Sequence, residues 1–166
     1  GLLEISHRSD TFKEIIIEME TMFRAYLNIP EAHKLVWMPG GARQHYSLMA
    51  ENLRAPQGLV GVVVEGHWSQ QMYTEVRAID ASKYRAFTWN EMQQSQACYQ
   101  QLQWVSNETV DGIAYPHVKK PGRFIIDASS DLGVRPIPLE CYEGVYAGMQ
   151  KAFGVAGLSV VILRED

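Results

Sequence analysis

Lys151 is the side chain most suited to covalent chemistry. It lies between Tyr146-Ala147-Gly148-Met149-Gln150 and Ala152-Phe153-Gly154-Val155-Ala156-Gly157, with apolar and glycine residues on both sides. An amine on a tight loop between two buried strands is expected to be partly desolvated, which favours its neutral, nucleophilic form. Asp127 closes the apolar run Phe124-Ile125-Ile126. A carboxylate there either caps the Ser129-Ser130 segment or partners a buried cation. Gly40-Gly41-Ala42-Arg43 can form a tight turn whose amides attract an anion, with Arg43 adding a fixed charge. The same glycine pair also suits a plain turn, and the Gly-Lys-Ser/Thr of a Walker loop is missing. The five histidines (His7, His33, His45, His67 and His117) have no metal-ligand spacing, and no Gly-x-Ser-x-Gly elbow is present.

These residues need elements to position them. Ser9 can cap a helix over residues 10–27, in which Phe12, Ile15, Ile16, Met19, Phe23, Tyr26 and Leu27 recur at helical spacing before Pro30. Residues 35–38 read as a short strand and 42–53 as a second helix. Residues 59–64 read as a strand covered on both faces. Ser69 is expected to cap a helix running toward Arg77. Residues 78–98 are weakly periodic and receive no assignment. Residues 99–105, 124–126, 145–147 and 158–163 read as four further strands. Short apolar strands alternating with helices imply an α/β fold, a three-layer, mostly parallel sheet flanked by helices. Ligands of such sheets bind beyond the carboxyl ends of the strands, where the residues above fall.

The chain has 166 residues, enough for one domain with a substantial core. Its 15 basic and 19 acidic residues give a net charge of −4, which argues against a broad nucleic-acid-binding face. No apolar run approaches the roughly 20 residues of a membrane span. Cys98 and Cys141 are far apart, without a CxxC, and read as buried thiols of a reducing compartment, so a cytoplasmic location is expected. Asn107-Glu108-Thr109 matches a glycosylation sequon, but no secretion signal accompanies it.

Four segments together resemble the phosphoserine aminotransferases, class V pyridoxal-phosphate (PLP) enzymes of fold type I. They are Glu4-Ile5-Ser6-His7-Arg8-Ser9, Gly40-Gly41-Ala42-Arg43, Ser106-Asn107-Glu108-Thr109-Val110-Asp111-Gly112 and Tyr146-Ala147-Gly148-Met149-Gln150-Lys151. Asp127-Ala128-Ser129-Ser130-Asp131 and Arg135-Pro136-Ile137 precede the last of these in the family's order. The resemblance implies that Lys151 bonds to the cofactor aldehyde and then shuttles a proton, and that Asp127 pairs with the pyridine nitrogen. It implies that Trp68 stacks on the ring and Thr109 bonds the ring hydroxyl. Gln150 and the amides of Ala42 and Arg43 would hold the phosphate. His7, Arg8 and Arg43 would receive the distal anion of the substrate. On their own, Trp68 also reads as a core aromatic and Thr109 as a turn residue.

The resemblance further implies transfer of the amino group between O-phospho-L-serine and 2-oxoglutarate, with 3-phosphohydroxypyruvate and L-glutamate as the other pair, in serine biosynthesis. Residues 1–166 would be one shortened cofactor-binding domain, lacking the family's N-terminal segment and its C-terminal small domain. Weak or no turnover is expected, because the family's arginine for the substrate α-carboxylate lies in the absent part. Uncovered apolar surface leads to an expected homodimer or companion chain. A non-catalytic binding or scaffold module is the alternative. A nucleotide-binding module using Gly40-Gly41 is a rival that leaves Asp127 and Lys151 unexplained. Ala152 and Val155 stand where the family usually has asparagine and proline.

Overall fold

The computed structural model describes residues 1, 4–53, 58–95, 99–119 and 122–165. Helix α1 (Asp10–Leu27) leads into strand β1 (His33–Pro39), helix α2 (Gln44–Leu53), strand β2 (Val60–Val63) and helix α3 (His67–Asp80). Strand β3 (Tyr84–Phe87), helix α4 (Trp89–Ser95) and strand β4 (Gln101–Val105) follow. A small hairpin of β5 (Asn107–Glu108) and β6 (Ile113–Ala114) precedes β7 (Phe124–Asp127), β8 (Gly144–Gly148) and β9 (Leu158–Arg164).

The main sheet has seven strands in the order β1-β9-β8-β7-β4-β2-β3. The run from β3 through β2, β4 and β7 to β8 is parallel, whereas β9 is antiparallel to both β8 and β1. The expected α/β architecture is therefore present. Side-chain alternation along the central strands divides the core in two. Phe124 and Ile126 join a cluster with Phe23 of α1 and Met92 of α4, while Ile125 joins Tyr46 and Met49 of α2 and Met72 and Val76 of α3. Asp127 continues the alternation of Ile125, on the α2 and α3 face.

Helix α1 begins where its sequence directs. The Ser9 hydroxyl accepts the Phe12 N–H at 3.2 Å, and Asn28 ends the helix in the left-handed conformation at φ 51°. Helix α3 differs from expectation. Gly66, not Ser69, is its N-cap, and the Ser69 hydroxyl reaches back to accept the Gly66 N–H at 3.1 Å. The unassigned stretch contains β3 and α4. Strand β3 is an edge strand of four residues whose buried ends, Tyr84 and Phe87, serve different core clusters, so it carries no alternation to read. Residues 96–98 lie outside the described residues, and with them the reading of Cys98. Cys141 is buried and free, as expected, and burial pushes its thiol up.

Candidate functional site

The carboxyl ends of the parallel strands open onto a cavity of about 320 Å³. Ala42, Arg43, Trp68, Thr109, Asp127, Gln150 and Lys151 all line it. Seven residues singled out in the sequence, spread over 110 positions, thus come together. Tyr46, Asn107, Ser129 and Ser130 line it as well.

Asp127 forms the buried end of this cavity, with 6% of its surface exposed. Its Oδ1 accepts the Ser129 N–H at 2.9 Å and the Ser129 hydroxyl at 2.6 Å. Of the two sequence alternatives the turn is the one seen: Asp127 organises the Ser129 segment, and it also lines the cavity. Burial pushes its carboxyl up, the two bonds from Ser129 and the nearby Tyr46 hydroxyl oppose that rise, and the Glu108 charge adds to it. The Ser129 hydroxyl also accepts the Gly148 N–H at 3.0 Å, which ties the Asp127 turn to the end of β8.

Lys151 stands three residues beyond that anchor. Its turn is folded by the Met149 N–H donating to the Leu158 carbonyl at 2.9 Å and the Gly154 N–H donating to Met149 at 2.8 Å. Lys151 and Gln150 are exposed. The expected desolvation of the lysine is not found, because the turn carries it past the sheet to the cavity mouth, where Ala152 and Gly154 are exposed too. The Gly40–Arg43 turn is joined to the same loop. Gly40 adopts φ +106°, a conformation suited to glycine, and its N–H donates to the Gly157 carbonyl at 2.8 Å. Helix α2 starts only at Gln44, so Ala42 and Arg43 lie in the turn before it. Arg43 is exposed and paired with Glu75 of α3.

The opposite wall is held by a residue whose role the sequence conceals. Glu108 is fully buried, and its two carboxylate oxygens accept the Trp68 N–H at 2.8 Å and the Ser69 N–H at 2.7 Å. Asp111 accepts the His67 N–H at 2.7 Å. The first turn of α3 is thus capped by carboxylates of the β5–β6 hairpin, where a negative charge also complements the helix dipole. A Cβ at Gly66 would lie 2.5 Å from the Glu108 carboxyl carbon, so only glycine permits this approach. The clamp brings the Trp68 indole N–H to 3.1 Å from the Thr109 hydroxyl. Trp68 also packs against the core cluster of α2 and α3, and Thr109 lies in the turn after β5.

His7 and Arg8 lie exposed in the turn before α1 and do not line the cavity. His45 is fully buried, with Nε2 at 2.8 Å from the Ser159 hydroxyl and its ring 5.2 Å from that of Tyr146. Desolvation pulls its pKa down to about 4. Among the described residues no group of three His, Cys, Asp or Glu side chains could hold a metal ion, and no helix is long and apolar enough to cross a membrane. Tyr46 could not have been found from sequence, because its place on α2 beside Met49 and Ala50 reads only as core.

The family model for class V aminotransferases matches residues 2–166. The phosphoserine aminotransferase of Azotobacter vinelandii is 36% identical over 179 residues, covering all of this chain and 49% of that protein. That of Histophilus somni is 33% identical over 176 residues, again covering all of this chain and 49% of the relative. The crystal structure of PLP-bound phosphoserine aminotransferase from Trichomonas vaginalis superposes with a TM-score of 0.86 at 26% identity, covering all of this chain and 50% of that one. The enzyme from Bacillus circulans subsp. alkalophilus gives 0.85 at 28% identity, with 100% and 49% coverage. The chain spans about half the length of the curated relatives it matches.

Proposed function

This chain belongs to the class V aminotransferase family, and on that premise we propose that it forms the cofactor-binding part of a PLP-dependent phosphoserine transaminase. The observation that carries the reading is a single cavity with a buried carboxylate at its closed end, a primary amine at its mouth and an indole on its wall. That donor set fits PLP. A pyridinium nitrogen calls for an anion, an aldehyde for an amine, and a flat ring for an aromatic face.

PLP, when bound, supplies an electron sink for charge developing at the substrate α-carbon. Asp127, its carboxylate aimed by Ser129, would hold a proton at the pyridine nitrogen. Trp68 would cover the ring and exclude water, and Thr109 would bond the ring hydroxyl. The amides of Ala42 and Arg43 and the Gln150 side chain would hold the phosphate. Lys151 would hold the cofactor through its amine and carry the proton taken from the substrate α-carbon. Arg43, with His7 and Arg8 brought from outside this cavity, receives the distal phosphate or carboxylate.

The reading extends to O-phospho-L-serine and L-glutamate as amino donors, with 3-phosphohydroxypyruvate and 2-oxoglutarate as their oxo acids, in serine biosynthesis. The names of relatives at 33% and 36% identity support this. It also takes the protein to be cytoplasmic and to work as a homodimer or with a companion chain. Met22 and Tyr26 of α1 support the assembly, being 59% and 65% exposed beside an apolar groove that reaches Ala152 and Phe153.

The test is a single half-reaction. PLP-loaded protein is mixed with O-phospho-L-serine, L-glutamate or L-alanine, and the oxo acid released is counted. Phosphoserine and glutamate should each release up to one equivalent per bound PLP, faster than alanine does. Equal rates for all three would contradict the substrate assignment. Bound PLP with no oxo acid from any donor would favour a binding module.

A further inference from the structure

We propose that Ser159 is a positioning residue whose buried hydroxyl, through Gln44 and His45, holds the Gly40–Arg43 turn in the shape that receives the cofactor phosphate. The inference rests on the reading of that turn as part of the phosphate site. Ser159 is the second residue of β9, paired with Met38 near the end of β1 on one side and with Gly148 at the end of β8 on the other. Beyond Met38 the chain enters the glycine turn, and beyond Gly148 it enters the loop that carries Gln150 and Lys151. One residue therefore stands between two segments that line the cavity.

Ser159 is fully buried, and its hydroxyl meets three partners. It donates to the Met38 carbonyl at 3.2 Å, the Gln44 carboxamide donates to it at 3.3 Å, and the His45 Nε2 lies 2.8 Å away. A hydroxyl has one proton to give, so the bond to Met38 leaves it an acceptor toward both α2 residues. The His45 ring, kept neutral by desolvation, therefore carries its proton on Nε2. Among the described residues its Nδ1 has no partner, so Ser159 is the ring's hydrogen-bond anchor. The Gln44 amide nitrogen also donates to the Pro39 carbonyl at 2.6 Å. That holds the carboxamide against Gly40, where a Cβ would lie 2.5 Å from Gln44 Oε1. With the Gly40 N–H bonded to the Gly157 carbonyl, the turn is fixed from β1, α2 and the loop before β9 together. A buried serine needs one acceptor, and Met38 meets that need. The two further donors both come from the first residues of α2, directly after the turn.

The experiment compares wild type with Ser159→Ala, which removes the hydroxyl and keeps the strand. Binding of PLP and of pyridoxal, which lacks the phosphate, is measured by equilibrium dialysis. PLP affinity should fall about tenfold, while pyridoxal affinity should change less than about twofold. In the PLP-free protein the Gly40 amide should exchange its hydrogen about tenfold faster than in wild type. Equal weakening of both ligands would assign Ser159 to general stability and overturn the proposal. So would PLP affinity or Gly40 exchange that stays as in wild type. Should Ser159→Ala fail to fold, Gln44→Met at the half-buried start of α2 removes two of the turn's bonds with little change of shape. It should weaken PLP and spare pyridoxal, and a variant without that selectivity refutes the role. Wild type that binds PLP no more tightly than pyridoxal overturns the phosphate reading of the turn, and this inference with it. A wild-type preference that survives Ser159→Ala overturns the role of Ser159 alone.

Discussion

The carboxylate of Glu108 accepts the backbone N–H of Trp68 at 2.8 Å, although the two residues are forty positions apart. The bond sets the wall of the cavity, because the residue that caps α3 is followed directly by Thr109, whose hydroxyl meets the Trp68 indole. Replacing Glu108 with alanine leaves two buried N–H groups without acceptors. It should lower unfolding free energy by about 2–3 kcal/mol. Urea unfolding followed by tryptophan fluorescence measures this. A loss below about 0.5 kcal/mol would mean that the clamp is not holding α3.

Gly66→Ala tests the same clamp from the other side. Its backbone lies at φ −144°, open to any residue, so the cost is steric: the added carbon meets the Glu108 carboxyl at 2.5 Å. A destabilisation of about 1–3 kcal/mol is expected. Because Gly66→Ala and Glu108→Ala strain and remove one contact, their effects should not add in the double variant.

This clamp also marks the boundary of what sequence could reveal. Ser9 caps α1 as read, since its partner Phe12 is three residues away and the signal is local. Ser69 looked like the same signal, yet the acceptors that cap α3 come from Glu108 and Asp111. Nothing near Ser69 announces them. The cavity residues were legible because each stands just past a strand and because the motifs resembled a family. Tyr46 stayed hidden, since a tyrosine among Met49 and Ala50 signals burial and nothing more. Strand β3 was missed because it is short and at an edge.

His45 gives a pH dependence of known sign. It is fully buried and its pKa falls to about 4 from an ordinary 6.5, so the unfolded chain binds a proton that the folded one resists. Stability is therefore lost as pH falls from about 6.5 to 4, by up to about 3 kcal/mol from this group. The stability of wild type minus that of His45→Gln should become more negative across this window. A difference that stays flat with pH would show that the histidine can ionise in place.

Arg43 is paired with Glu75, which competes for the guanidinium that would meet an anion. The arginine side chain is 66% exposed, so the pair adds at most about 1 kcal/mol to stability. Glu75→Gln should accordingly change unfolding free energy by less than about 1 kcal/mol. It should also tighten PLP binding by about two- to fivefold, as the cavity loses a negative charge. Weaker binding would indicate that Glu75 positions Arg43 rather than restraining it.

Asp127 and Lys151 are proposed to grip opposite ends of one ring, which borohydride reduction of the PLP-treated protein can decide. The wild type should show a visible absorption band that borohydride abolishes, leaving one pyridoxyl label on Lys151 by peptide mass mapping. Lys151→Ala should lose the band and the label, and Asp127→Ala should weaken PLP binding at least tenfold while Lys151 can still be labelled. No band at saturating PLP, or a label spread over surface lysines such as Lys13 and Lys34 with none on Lys151, would rule out Lys151 as the cofactor's partner.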